Sequence, residues 1–318
     1  MFTLLLLLAI FLAWLAPSVG DGTVLSMAAK WGVSVIFFFY GLKLNWTKIY
    51  EGLANYRLHI VVHLATFVLF PLLILPLVYL FGQTVETKLL WLGVFFLATL
   101  PSTVSSSVIM VNIARGNVPA AIFDASISSM AGVFLTPLWM QIFIAGQAGS
   151  RELSQVLVLL VVQVLVPIVL GVFLHRFWGA FAERHSKLLG KFDQSVILLI
   201  VYTSFCHSFA KEMFSGLSWS ALLLQTVGLS LLFFLVYGIL RVVCWLLRFN
   251  RADTITTLFC GSKKSLVHGT VMSQVLLSDP TLSGILILPT MIYHAMQLLF
   301  VGVLAKSWAK SAEPEEAK

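Results

Sequence analysis

Apolar runs recur along the whole chain, parted by short polar stretches. Ten of them read as bilayer-crossing helices, for which about 20 apolar residues suffice. They fall at roughly 2–16, 25–41, 59–81, 88–114, 118–145, 153–175, 194–210, 219–247, 253–277 and 282–305. The pattern predicts an all-α polytopic membrane protein of ten transmembrane helices, with no large domain outside the bilayer. No Lys or Arg precedes the first run, so it reads as a first span and not as a signal peptide. The tail, 310–318, is polar and reads as disordered.

Two runs carry a polar interior. The fourth contains Leu100-Pro101-Ser102-Thr103-Val104-Ser105-Ser106-Ser107, and the ninth contains Cys260-Gly261-Ser262-Lys263-Lys264-Ser265. A charged residue at bilayer depth costs about 2.5–3.5 kcal/mol on insertion scales. Two adjacent lysines flanked by glycine and serine therefore predict a helix that stops and restarts, with free backbone groups offered to a ligand. Pro101 and Gly261 stand 160 positions apart in a chain of 318 residues. Each patch is followed by a half-helix, a short turn (Arg115-Gly116-Asn117, and Ser278-Asp279-Pro280) and one last span. Five spans per half force the halves into opposite orientations, which predicts two inverted repeats, 1–151 and 152–309, with interrupted helices crossing near the midplane.

Charge placement sets an orientation. With ten crossings, the loops after even-numbered spans plus the C-terminus hold 14 of the 20 Lys and Arg residues, the opposite side holds 4, and the remaining 2 are Lys263 and Lys264. This asymmetry predicts cytoplasmic N- and C-termini and, for a bacterial chain, the inner membrane. The chain is 59% hydrophobic and 10% charged, against about 25% charged in a soluble domain. Its net charge of +7 belongs to loops, and no basic run with interleaved aromatics suggests nucleic acid. Cys206, Cys244 and Cys260 have no metal-like spacing and read as small hydrophobes.

The candidate chemistry lies in the two patches. Ser105, Ser106 and Ser107 offer hydroxyls; Gly261, Ser262 and Ser265 offer backbone and hydroxyl groups; Lys263 or Lys264 offers an ammonium. Consecutive residues on a helix point about 100° apart, which predicts one lysine at the crossing and one directed elsewhere. Asp124, placed well inside a span, reads either as a partner for a lysine or as a locally bonded group. Ser128 follows it; Ser126 and Ser129 share a face with Phe123 near it and read either as polar groups of the same cluster or as small residues that permit close packing. His268 lies one turn after Lys264, and His294 and Gln297 share one face of the last span, where they close the site or bond between helices. His59 and His63, at i and i+4, have a metal-like spacing but no third ligand in the sequence nearby. No metal site and no cofactor is expected, and no nucleophile–base arrangement argues for an enzyme.

Several runs are similar to the bile acid:sodium symporter family, and within it to the bacterial branch that resembles member 7. They are Ala114-Arg115-Gly116-Asn117-Val118, Thr136-Pro137, Tyr56-Arg57-Leu58-His59 and Phe259-Cys260-Gly261-Ser262-Lys263-Lys264-Ser265-Leu266. The resemblance implies a panel of spans one, two, six and seven, a core of the other six with spans four and nine crossed, and alternating access for an organic anion. It also marks departures. Ser107 keeps the family serine, but Val108, Ala121, Ala125, Phe259, Lys263 and Lys264 stand where sodium-coupled members carry oxygen-bearing side chains. Hard cations take oxygen ligands, so sodium coupling of the usual kind is expected to be absent or altered, with an ammonium in the ion's place. A proton-coupled exchanger using Asp124 and a lysine is the second expectation. A membrane regulator without flux, acting on ion or envelope balance, is the third.

Overall fold

The computed structural model describes residues 2–21, 23–43, 55–82, 85–144, 152–212, 218–277 and 280–311. The Ser278-Asp279 part of the second turn and the tail from Ala312 lie outside them. The described residues form helices, joined by short turns, with no strand among them. They are α1 Phe2–Leu15, α2 Thr23–Leu42, α3 Tyr56–Phe81, α4 Val85–Thr99, α5 Ser105–Ile113, α6 Val118–Ile144, α7 Leu153–Arg184, α8 Ser186–Ala210, α9 Trp219–Leu246, α10 Arg251–Gly261, α11 Leu266–Leu276 and α12 Pro280–Lys310. Among the described residues, six helices are long and apolar enough to cross a membrane: α3, α6, α7, α8, α9 and α12. The chain is thus an all-helical polytopic membrane protein. Lys187 and Lys191, expected in a linker, lie instead on the first turns of α8, since no Pro interrupts helix formation there.

The apolar runs at 88–114 and 253–277 are broken. α4 ends at Thr99 and α5 begins at Ser105; α10 ends at Gly261 and α11 begins at Leu266. Pro101 explains the first break, because it cannot donate within a helix and biases its predecessor away from helical geometry. The second break ends in an N-cap: Ser265 Oγ accepts from the His268 backbone N–H at 3.3 Å, which starts α11 afresh.

Two further prolines act inside continuous helices. Pro71 in α3 and Pro167 in α7 each follow a π turn, Ala65–Leu69 and Val161–Leu165. A proline supplies no N–H to the carbonyl four residues back, and the π turn shifts the bonding by one. The Phe70 N–H accordingly bonds Ala65 O, which leaves the Thr66 and Phe67 carbonyls for other donors. Phe67 O accepts from Trp139 Nε1 at 2.8 Å, and Gln163 O in α7 accepts from Ser34 Oγ at 3.3 Å.

Packing sorts the helices. α2 lies along α7, and α1 along α8. Glycines allow the α2–α7 contact: a Cβ on Gly41 would sit 2.1 Å from Ile168 O, and one on Gly171 would sit 2.2 Å from Phe38 O. α6 packs on α4 and α5, and α3 packs on α6 and α10. Here too a small residue matters, since a Cβ on Gly132 of α6 would meet the Pro101 ring at 2.7 Å. The turn between α5 and α6 is bonded to the start of α10. Asn117 Nδ2 donates to Asp253 Oδ1 at 2.8 Å, while Asn117 Oδ1 caps α6 by accepting from the Ala120 N–H at 3.1 Å.

Candidate functional site

The two breaks meet, and their exposed backbone groups are paired across the crossing. Ser265 N–H donates to Pro101 O at 2.9 Å. Ser102 Oγ donates to Cys260 O at 2.6 Å, and Ser102 N–H donates to Ser128 Oγ at 2.9 Å. Thr136 Oγ1 donates to Thr99 O at 2.8 Å, and Tyr293 OH donates to Ser262 O at 2.7 Å. Gln297 holds both sides of one peptide position: Lys264 N–H donates to its Oε1, and its Nε2 donates to Lys264 O, each at 2.8 Å. In an apolar surround each of these groups would cost several kcal/mol if left unpaired. The side chains on α6 and α12 are therefore what makes two non-helical turns tolerable at this depth.

Both lysines are fully buried, and both belong to the crossing. The expectation that only one would face it fails because neither lies on a helix; both sit in the turn between α10 and α11, where the 100° helical offset does not apply. Lys264 Nζ donates to Thr66 O at 2.7 Å, Ala98 O at 2.6 Å and Leu100 O at 2.9 Å. Thr66 O is the carbonyl freed by the π turn before Pro71. Ala98 and Leu100 offer carbonyls at the C-terminal end of α4, where the helix dipole favours a cation. The Phe70 ring faces the same ammonium, 4.2 Å from its centroid, a cation–π contact. Three acceptors match the three N–H donors of a lysine.

Lys263 points to the other broken helix. Its Nζ donates to Ser106 Oγ at 2.8 Å; Ser106 Oγ donates to Thr103 Oγ1 at 2.9 Å, and Thr103 Oγ1 shares a hydrogen bond with Ser107 Oγ at 2.7 Å. Only one of its three N–H groups has a partner among the described residues. No carboxylate among them lies within ion-pair distance of either lysine.

The remaining sequence candidates fall as follows. Ser105 opens α5, but its side chain lies outside those described. Gly261 closes α10, and Ser262 Oγ folds back on Leu258 O at 2.6 Å. Ser265 Oγ also meets His268 Nδ1 at 3.0 Å. His268 packs edge-on against Phe37 of α2, with centroids 5.1 Å apart, and its Nε2 is buried without a hydrogen-bond partner. His294 Nδ1 lies 2.9 Å from Gln297 Nε2. Ser126 and Ser129 hydroxyls bond carbonyls of their own helix, Ile122 O and Ala125 O, so they pack as small residues. Val108 and the buried Ala121, Ala125 and Phe259 put no side-chain oxygen at the crossing.

Asp124 is the main correction. It reaches neither lysine. Its Oδ1 lies 2.8 Å from His59 Nδ1 and 3.6 Å from His63 Nε2. The carboxylate that faces the His59–His63 pair comes from α6, which only the α3–α6 contact brings near, and the three do not form a metal-holding group. Thr66, Thr103, Thr136 and Tyr293 were also missed. Pro71 was the available signal for Thr66, because a proline inside a span announces freed carbonyls.

A groove of about 860 Å³ lies elsewhere, lined by Arg241, Trp245, Arg248, Phe249, Thr254 and Trp308 at one end of α9. It touches no residue of the crossing.

Two helix breaks that meet inside a polytopic membrane protein and bury two lysine side chains suit a transport site. The chain belongs to the SBF-like CPA transporter family (DUF4137), whose model matches residues 1–310. It is 38% identical over 317 residues to protein PA2026 of Pseudomonas aeruginosa, covering 99% of this chain and 95% of that one. It is 36% identical over 323 residues to YfeH of Escherichia coli, covering 100% of this chain and 95% of that one. It is 30% identical over 316 residues to the mouse sodium/bile acid cotransporter 7, covering 97% and 93%. The family resemblance read from the sequence is thereby shown.

Proposed function

We propose that the chain is a secondary carrier that moves an organic anion across the inner membrane by alternating access, without a requirement for sodium. Ten spans serve this reading: α1, α2, α3, α4 with α5, α6, α7, α8, α9, α10 with α11, and α12. They form two inverted repeats, 1–151 and 152–309, and both termini, including the tail 310–318, face the cytoplasm. α1, α2, α7 and α8 act as the panel and the rest as the core. The organic anion is argued from the uncompensated lysine at the crossing, and the bile-acid-like class from relatives such as the mouse sodium/bile acid cotransporter 7.

The observation that carries the reading is the division of labour between the lysines. Lys264 Nζ already fills a cage of three carbonyls. A tethered ammonium there does the work of a bound cation, offsetting the negative end of α4. Lys263 keeps two N–H donors without partners among the described residues and has no counter-carboxylate. An anionic group held beside Ser106 and Ser107 would complete it, with His268 Nε2 and His294 as further polar contacts. The proton exchanger that pairs Asp124 with a lysine loses its support, because Asp124 is bonded elsewhere.

The test is uptake of radiolabelled taurocholate into proteoliposomes, with other sulfated and carboxylated organic anions in parallel. Equal uptake in sodium and in choline, lost in Lys263→Met, is expected. A strict sodium requirement overturns the cation role of Lys264. An absence of flux for every anion, with a cellular phenotype that survives Lys263→Met, favours a regulator without transport.

A further inference from the structure

We propose that Asp124, His59 and His63 form a proton-binding site inside the spanning region, separate from the lysine crossing, through which the carrier is coupled to protons. The coupling half rests on the carrier reading above; the binding half does not.

The site is built from two helices. His59 and His63 stand four residues apart on α3 and so share a face. Asp124 projects from α6 and is fully buried. Its Oδ1 faces both imidazoles, at 2.8 Å from His59 Nδ1 and 3.6 Å from His63 Nε2. Its Oδ2 has no hydrogen-bond partner among the described residues, and neither ring nitrogen of His63 has one. A carboxylate cut off from water, with one oxygen lacking a donor, is a costly arrangement. A proton is the smallest ligand that relieves it. With Asp124 ionised and both imidazoles neutral the cluster carries one negative charge; one proton, on Asp124 or on His63, makes it neutral.

The surroundings leave this role open. No lysine or arginine among the described residues lies within ion-pair distance of Asp124. The titratable groups facing it are His59 and His63 from α3 and Cys260 from α10, and Lys263 in turn acts on Cys260. The Phe123 ring packs on His59 with centroids 4.3 Å apart, closing that side. His63 keeps 23% of its side chain exposed against 8% for His59 and none for Asp124, with both its ring nitrogens buried, so His63 is the outermost of the three groups and His59 the support. Asp124 lies six residues into α6, about 9 Å along its axis at 1.5 Å per residue. His59 lies three residues into α3. Both helices start on the side that the charge tally assigns to the cytoplasm.

α6 is the route to the crossing. One turn beyond Asp124, Ser128 Oγ accepts the Ser102 N–H inside the first break. One turn further, Gly132 meets Pro101, and one more brings Thr136 onto Thr99 O. A change in the α3–α6 contact on protonation is therefore delivered along one helix face to the turn that holds Lys264 in place.

The binding half is tested without any organic substrate. Proteoliposomes adsorbed on a solid-supported membrane receive a pH jump, with sodium held constant. The wild type gives a transient current from proton binding; Asp124→Asn loses it and His63→Gln diminishes it, with both variants monodisperse and helical by circular dichroism. If Asp124→Asn does not fold, His63→Gln decides, since His63 makes no hydrogen bond that folding would miss. A wild-type current in a folded Asp124→Asn or in His63→Gln overturns the site. So does a silent wild type, which marks the pair as structural only. Taurocholate uptake separates the two readings: a current without uptake of any anion removes the carrier and leaves the proton site, and uptake indifferent to a pH gradient removes the coupling alone.

Discussion

Replacing Lys264 with methionine removes one ammonium and leaves three acceptors behind. The carbonyls of Thr66, Ala98 and Leu100 lie 2.6–2.9 Å from Nζ, and no other donor reaches Ala98 O or Leu100 O among the described bonds that leave the helices. Each buried acceptor left unsatisfied costs about 1–3 kcal/mol, so the gross loss is roughly 3–9 kcal/mol. Against it stands the desolvation of the ammonium, several kcal/mol that the variant no longer bears. Removing one partner of a buried charged contact costs about 3–5 kcal/mol on balance, and Lys264→Met is expected in that range. Lys264→Ala opens space among the same carbonyls. Sodium, a hard cation that takes oxygen ligands, is expected to enter there and to stabilise the variant, by about 1.4 kcal/mol at ten times its Kd. The assay is thermal unfolding of purified protein in detergent, in sodium chloride and in choline chloride. Expected are a lowered Tm for both variants, recovery of Lys264→Ala in sodium alone, and a wild type indifferent to the cation. A Lys264→Met protein as stable as wild type would refute the cage, and a wild type stabilised by sodium as much as Lys264→Ala would refute the substitution of ammonium for ion.

Two further outcomes follow from packing and capping. Gly132→Ala drives a Cβ to 2.7 Å from the Pro101 ring; overpacking of this kind costs about 1–3 kcal/mol, read as a lowered Tm together with slower uptake, and an unchanged Tm would mean that α6 and the break do not touch so closely. Asn117→Ala loses the cap on α6 and the bond to Asp253, a loss of about 1–2 kcal/mol, measured by the same unfolding assay; Asn117→Asp, which keeps a capping oxygen but meets Asp253 with a like charge, is expected to do no better.

The sequence alone carried the class of protein and the place of its chemistry. Hydrocarbon offers backbone groups no partners, so spans must be helical and apolar, and any Pro-Ser-Thr or Gly-Ser-Lys-Lys patch inside one must be a break with a purpose. The patches 100–107 and 260–265 do contain the interruptions, at 100–104 and 262–265, while Ser105–Ser107 and Cys260–Gly261 are helical. The same reasoning also found a carboxylate, Asp124, worth explaining. What it could not supply was direction. Both lysines sit in a turn, where no periodicity fixes where a side chain points, and only the fold sends Lys264 to the end of α4 and Lys263 to Ser106. Asp124 stayed open between a lysine and a local partner because sequence gives charge without distance; its neighbours, His59 and His63, lie more than sixty residues earlier and meet it only because α3 packs on α6. The carbonyl of Thr66 is a similar case. A proline five residues on rearranges the helix bonding, and whether the freed oxygen meets lipid or an ammonium is decided by which helix lies alongside. Local rules of bonding and solvation are written in the order of residues, whereas pairings between distant spans depend on how the helices dock.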